Sequence, residues 1–218
     1  MRRVVLLLLI ASLAAPGAVS AQRRRAPVKK PAAVPLKTDP ADLKCPESLG
    51  TGVKTGASYC FVLAGRDPAQ CVIVTIPSHA GPASLLFELH NRHTYSEEDI
   101  RAGRGYAKYT AVIGVLSMKS ELLGRAAVQS EFRAARDLHE RISGGAGPGG
   151  VKAVAPIGRE QIAVTIPAGV EQVSLLGEVL DATTAAGHEI ASPGRPVALV
   201  SHVRIEYRPA PPPRTRKK

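Results

Sequence analysis

Glu88, His90 and His93 form the densest concentration of potential chemistry in this chain. One carboxylate and two imidazoles this close together could ligate zinc or calcium, or serve as a general acid and base. In an extended segment Glu88 and His90 fall on one face, because successive side chains alternate. His93 lies just past that strand, followed by Tyr95, Glu97, Glu98 and Asp99. The spacing matches no strong metal signature, and Arg92 sets a positive charge among the ligands. These three residues are therefore the candidate metal site, and nothing else calls for a cofactor.

Other patterns carry less. Gly145 to Gly150 satisfies G-x-G-x-x-G, but a proline interrupts it, and neither a strand before it nor a helix after it is evident. It is not a Walker A loop, since Val151 separates Gly150 from Lys152. The segment reads as a flexible linker. The chain contains no G-x-S-x-G and no H-E-x-x-H, and its cysteines follow no catalytic pattern. His79, His139, His188 and His202 stand singly and read as surface or satisfied core residues. The charged run through Arg133, Arg136, Asp137, His139, Glu140 and Arg141 reads as a solvated face.

The elements that must position Glu88 and His90 are strands. Val74-Thr75-Ile76-Pro77, a turn, and Ser84 to Leu89 recur 90 residues later as Val164-Thr165-Ile166-Pro167, a turn, and Ser174 to Val179. Each copy reads as a β-branched strand stopped by proline, then a turn and a second apolar strand, so it is expected to be a hairpin. Further strands are expected at 59–64, 106–116, 125–134, 151–155 and 196–207. On 106–116, Tyr109, Ala111, Ile113 and Val115 share one face; on 196–207, Val197, Leu199, Ser201, Val203 and Ile205 alternate. Residues 91–104 are expected to be a long surface loop, where sites tend to live. Many short strands and Gly/Pro turns predict an all-β sandwich, immunoglobulin-like or jelly-roll, with at most one short helix near 136–142.

Charge separates this body from its ends. Arg2-Arg3, an apolar run to Ala15 and small residues up to Ala21 read as a secretory signal peptide over 1–21. That run is too short for a comfortable span, so no transmembrane segment is expected after cleavage. Residues 22–44 read as a basic, Pro/Ala-rich disordered arm, 45–207 as one domain, and 208–218 as a basic, Pro-rich disordered tail. Residues 22–38 hold six basic side chains and 208–218 hold five, with no acid in either. Of the 29 Lys and Arg, 16 remain between Asp39 and Tyr207 against all 18 acids. The body is thus close to neutral, and the formal charge of +11 does not argue for a nucleic-acid partner.

Three cysteines in an exported protein allow one bridge. Cys45 to Cys60 is the expected pair and Cys60 to Cys71 its rival; Cys71 opens an apolar run and can be buried as a small hydrophobe. Heavy use of Ala, Arg, Gly and Pro suits a bacterial, periplasmic or secreted protein. The expected function is a non-enzymatic β-sandwich module with a binding or structural role in the envelope. Its basic tails would contact anionic surfaces, and its partner would be an envelope polymer or protein. A carbohydrate-binding module, or a metal-dependent hydrolase using Glu88, His90 and His93, is the alternative.

Overall fold

Alternation of apolar and polar residues decides which side chains enter the core. Leu85, Phe87 and Leu89 from one strand face Tyr109, Ala111, Ile113 and Val115 from another, all buried in a single apolar cluster. Each such side chain contributes about 1.5–3 kcal/mol when fully buried. The computed structural model describes residues 34–143 and 153–211. The signal segment, most of the arm, the Gly-rich stretch and the end of the tail lie outside these residues.

The strands in chain order are β1 (Lys37–Pro40), β2 (Asp42–Lys44), β3 (Ser48–Gly52), β4 (Ser58–Leu63), β5 (Val72–Thr75), β6 (Ala83–His90) and β7 (His93–Tyr95). A short helix α1 (Glu97–Arg101) precedes β8 (Ala107–Ser117), β9 (Leu122–Phe132), β10 (Ile142–Ser143) and β11 (Ala153–Ala155). β12 (Glu160–Ile166), β13 (Gln172–Thr184), β14 (Gly187–Ile190) and β15 (Pro196–Tyr207) complete the fold. One sheet has the order β10-β3-β4-β15-β6-β12, with β1 also on β15. The other runs β2-β5-β13-β8-β9, with β14 also on β13. The named strands pair antiparallel, β7 and β11 form a separate ribbon, and the whole is the expected all-β sandwich.

The repeated units are not hairpins. In the first copy β5 lies in one sheet and β6 in the other; in the second, β12 and β13 do the same in the opposite order. Each unit is therefore an arch spanning the two sheets. The copies also pair with each other, β5 on β13 with Val74 opposite Val173, and β6 on β12 with Leu85 opposite Val164. These registers differ by two residues from perfect correspondence. An even shift preserves which face each side chain occupies. Proline, lacking the N–H that a ladder needs, ends β5 at Pro77 and β12 at Pro167.

Several expected boundaries change. Residues 37–44, assigned above to the arm, form β1 and β2: Lys37 pairs with Tyr207 in one sheet, and Leu43 with Val74 in the other. Their polar sequence is that of short edge strands, which bury little and so lack an apolar pattern. The α-helix falls at 97–101, inside the expected loop, where the Ser96 side chain accepts from the Asp99 N–H and caps it. Near 136–142 there is only a 3₁₀ turn at Ala135–Asp137, after which the chain runs extended over the outer face of the first sheet. There Ile142 packs with Tyr59, Phe61 and Leu199.

Cys45 and Cys60 are disulfide-bonded, with Cα atoms 5.8 Å apart, and tie the exit of β2 to β4 across 15 residues. Closing a loop of that length is worth about 3 kcal/mol in the chain-entropy view. Cys71 is free and buried, and burial raises its thiol pKa, which makes it unreactive.

Candidate functional site

Glu88 and His90 project from β6 to the outer face of the first sheet, as their alternation with Leu85, Phe87 and Leu89 requires. His90 is fully buried, its Nε2 lying 2.8 Å from Ser201 Oγ and its Nδ1 3.1 Å from the Gly158 carbonyl. A carbonyl only accepts, so Nδ1 carries the proton and Nε2 accepts from the Ser201 hydroxyl. Ser201 Oγ is also 3.1 Å from His202 Nδ1, and that nitrogen is 3.2 Å from Glu88 Oε2. Arg159 stands 3.6 Å from the other oxygen of Glu88. Glu88 thus lies among His90, His202 and Arg159.

The backbone at this point is irregular. The β6–β15 register shifts between Ser201 and Arg204, and His202 sits at φ 51°, a left-handed conformation that costs a non-glycine residue about 1–2 kcal/mol. A bulge of this kind re-aims side chains. It leaves Leu199 and Ser201 on the outer face while Ile205 enters the inner core, so the alternation expected along 197–205 is broken.

The 138–142 segment closes the cluster from above. The His139 ring stacks on His90 at 5.6 Å, and Tyr59 meets His90 edge-on at 5.2 Å. Glu140, expected on a solvated face, is buried and accepts from the Lys54 and Thr55 N–H groups, Thr55 Oγ1 and Tyr59 OH, all within 2.6–2.7 Å. Burial would raise its pKa, but hydrogen bonds from Thr55, Tyr59 and Lys54 outweigh that and hold it low. Gly52 is needed below it, because a Cβ there would overlap the carboxylate.

Burial first, then the neighbouring charges of His139, Arg159 and His202, push His90 down to about 3. Burial likewise lowers His139. At neutral pH His90 is therefore an uncharged imidazole. The Ser201–His90 pair has nucleophile–base spacing, but so weak a base cannot activate a hydroxyl efficiently near neutrality. Ser201 is 1 % and His90 0 % exposed, so no substrate reaches them in this conformation. As placed, the cluster fixes the register of β6 on β15 and holds the 138–142 segment down. Among the described residues, its buried Glu88 Oε2 and His139 Nε2 have no hydrogen-bond partner.

His93 is not part of it. Its ring lies 4.0 Å from Phe132, and burial pushes its pKa to about 4. Among the described residues no group of three or more His, Cys, Asp or Glu side chains is arranged to hold a metal ion, so the expected Glu88–His90–His93 set is not assembled. The strand places the first two together, but the chain turns at Asn91 and carries His93 away on β7.

His93 instead lines an open cleft of about 490 Å³ at the end of the sandwich. Its walls are the 91–109 segment and the β13–β14 hairpin. Arg92 bridges those walls through a 2.6 Å contact with Glu189, Arg104 pairs with Asp99 at 2.9 Å, and Tyr106 is exposed. Asn91, the only asparagine in the chain, joins cleft to cluster: its Oδ1 accepts from the Ile157 and Gly158 N–H groups, and its Nδ2 donates to Ser130. Gly158 must be glycine here, as a Cβ would press on Ser130 at 2.8 Å. The G-x-G-x-x-G stretch lies outside the described residues.

No protein-family model matches the chain, and no curated protein matches it at a significant level. No described helix is long and apolar enough to cross a membrane.

Proposed function

We propose that the chain is an exported β-sandwich module that acts by binding and performs no reaction of its own. The observation that carries this reading is the contrast in access. The Ser201–His90 pair is sealed and internally satisfied, while the open cleft presents paired ions, a neutral imidazole and an exposed tyrosine. The signal-like N-terminus and the disulfide support export to an oxidising compartment, periplasmic or extracellular. The neutral body and acid-free basic ends support contact between the tails and an anionic surface.

The test is co-sedimentation of the chain beginning at residue 22 with phosphatidylcholine vesicles, plain or doped with phosphatidylglycerol. Binding only to the doped vesicles, lost at high salt, is expected. Equal binding to both, or none to either, contradicts the surface reading.

For the cleft, the Arg92–Glu189 and Arg104–Asp99 pairs beside Tyr106 favour a polyhydroxylated ligand over a strongly charged one. Each pair keeps donors and acceptors in fixed planes, and the exposed ring supplies a face for a sugar. A glycan array probed with the chain and with Tyr106→Ala tests this. Hits that disappear in the variant are expected, and an array without hits contradicts it.

A further inference from the structure

Most edges of the two sheets are short, which is one way soluble β proteins avoid pairing with each other. β10 has two residues, β2 three and β14 four. β12, with seven, lies between Pro156 and Pro167. β9 is the exception, with eleven residues and no proline. Among the described residues it pairs with β8 alone. Its one irregularity falls at its start, opposite Val115 and Leu116, and from Arg125 to Phe132 the register with β8 runs unbroken. Over that stretch alternate main-chain N–H and C=O groups point away from β8, toward the open edge. Arg125, Ala127, Gln129 and Glu131 are exposed on the outer face, while Ala126, Val128 and Phe132 are buried beneath it.

The outward charges of β9 complement themselves. Residues directly opposite in an antiparallel pair share a face, so a two-fold axis through a residue of β9 keeps outer side chains beside outer ones. An axis at Val128 sets Arg125 of each copy opposite Glu131 of the other, and Ala127 opposite Gln129. Moved to Ala127, the axis leaves Arg125 opposite Gln129; moved to Gln129, it sets Arg125 against Arg133, a like charge. Of these three registers only the one centred on Val128 joins opposite charges. The neighbouring strands extend the pattern. Lys108 stands opposite Glu131 on β8, and Glu178 reaches over Gly114 to pair with Arg125 at 2.7 Å. Across the joined sheet the row reads Lys108, Glu131, then Arg125 and Glu178 of the second copy, with the sign changing at each step. A network of charges counts for more than an isolated surface pair.

We propose that β9 is a self-association edge, on which two copies of the chain pair antiparallel about Val128 and merge their β8–β9 sheets into one. This goes beyond the binding reading and holds whichever ligand the cleft takes. It also gives the cleft a setting. Phe132 lines the cleft, and the two-fold puts it opposite Gly124 of the second copy. The two clefts then lie at opposite ends of the shared edge, separated by the strand rise from residue 124 to 132, about 27 Å. A polymer crossing both would be held at two points.

Sedimentation equilibrium of the chain beginning at residue 22 reads the assembly directly. A dimer at micromolar concentration is expected; a monomer up to about 100 μM overturns the proposal. Arg125→Glu and Glu131→Arg each set like charges across the edge, and each should weaken the dimer about 10-fold or more. The double variant faces opposite charges again and should regain most of that loss. Both positions are exposed, and matching far-ultraviolet circular dichroism shows that each variant is folded. A dimer that neither single variant weakens uses another surface, and single losses that the double variant does not recover rule out the register; either result overturns the proposal. Amide exchange needs no substitution. Rates over 125–131 should fall as concentration rises, and unchanged rates there in a dimeric sample contradict pairing through β9.

Discussion

The first copy of the repeated unit, Val74 to Leu89, and the second, Val164 to Val179, share an order of residues and end in different surroundings. In the first, strict alternation continues to the end of β6, so Leu85, Phe87 and Leu89 face inward while Glu88 and His90 face outward. In the second, the β13 register shifts between Gly177 and Val179. That one irregularity turns Leu180, the positional counterpart of His90, into the inner core, and leaves Val179 exposed. The paired carboxylates diverge as well. Glu88 lies in a covered cluster, whereas Glu178 makes a surface pair with Arg125 at 2.7 Å. What separates them is the 138–142 segment, which covers only the first copy. A residue's chemistry here follows from what lies over it more than from its place in the repeat.

The comparison breaks most visibly at the cover. Glu140→Ala leaves the buried Tyr59 hydroxyl and the part-buried donors of Lys54 and Thr55 without their acceptor. Unfolding in urea should show a loss of about 3 kcal/mol; an effect below about 1 kcal/mol would mean that the cover is not clamped there.

Acid should act nearly as strongly. His90 and His93 are held at about 3 and about 4 in the folded chain, below the usual 6.5. The unfolded chain therefore takes up protons first, and stability that is complete above pH 6.5 falls as pH drops toward those values. For His90 the loss by pH 4 is on the order of 3 kcal/mol. Glu140, whose folded pKa is lowered, adds its own loss below its unfolded value, near 4.5. A stability profile flat from pH 7 to 4 would contradict the burial of both histidines.

His90→Leu installs in the first copy the residue that the second copy has. It strands the Ser201 hydroxyl and the Gly158 carbonyl, so a loss of about 1–3 kcal/mol is expected. Adding Ser201→Ala should recover part of it, and no recovery would show that the two do not interact. Smallest of all is Arg125→Ala beside Glu178, worth less than about 1 kcal/mol for so exposed a pair, read from the same urea curves.

Much of this was legible in the residues. The sandwich, the Cys45–Cys60 bridge and the shared face of Glu88 and His90 follow from β-branched alternation, cysteine placement and a period of two. The remaining partners of His90 were not. Ser201, His202, His139 and Gly158 come from distant segments, and no local pattern marks them. Bulges in β13 and β15 break the parity on which the reading of faces depends. β1 and β2 escaped because edge strands with Pro40 and charged side chains look like linker. Glu140 was misread because a charged run says nothing about which member turns inward.

His90 is placed as a sealed, neutral structural residue. A histidine side-chain NMR titration tests it most directly. The His90 imidazole should stay uncharged, with its proton on Nδ1, from neutral pH down to about 4 or until the chain unfolds. A reversible titration of His90 near 6.5 in the folded protein would contradict it and return Ser201 and His90 to the list of groups able to do chemistry.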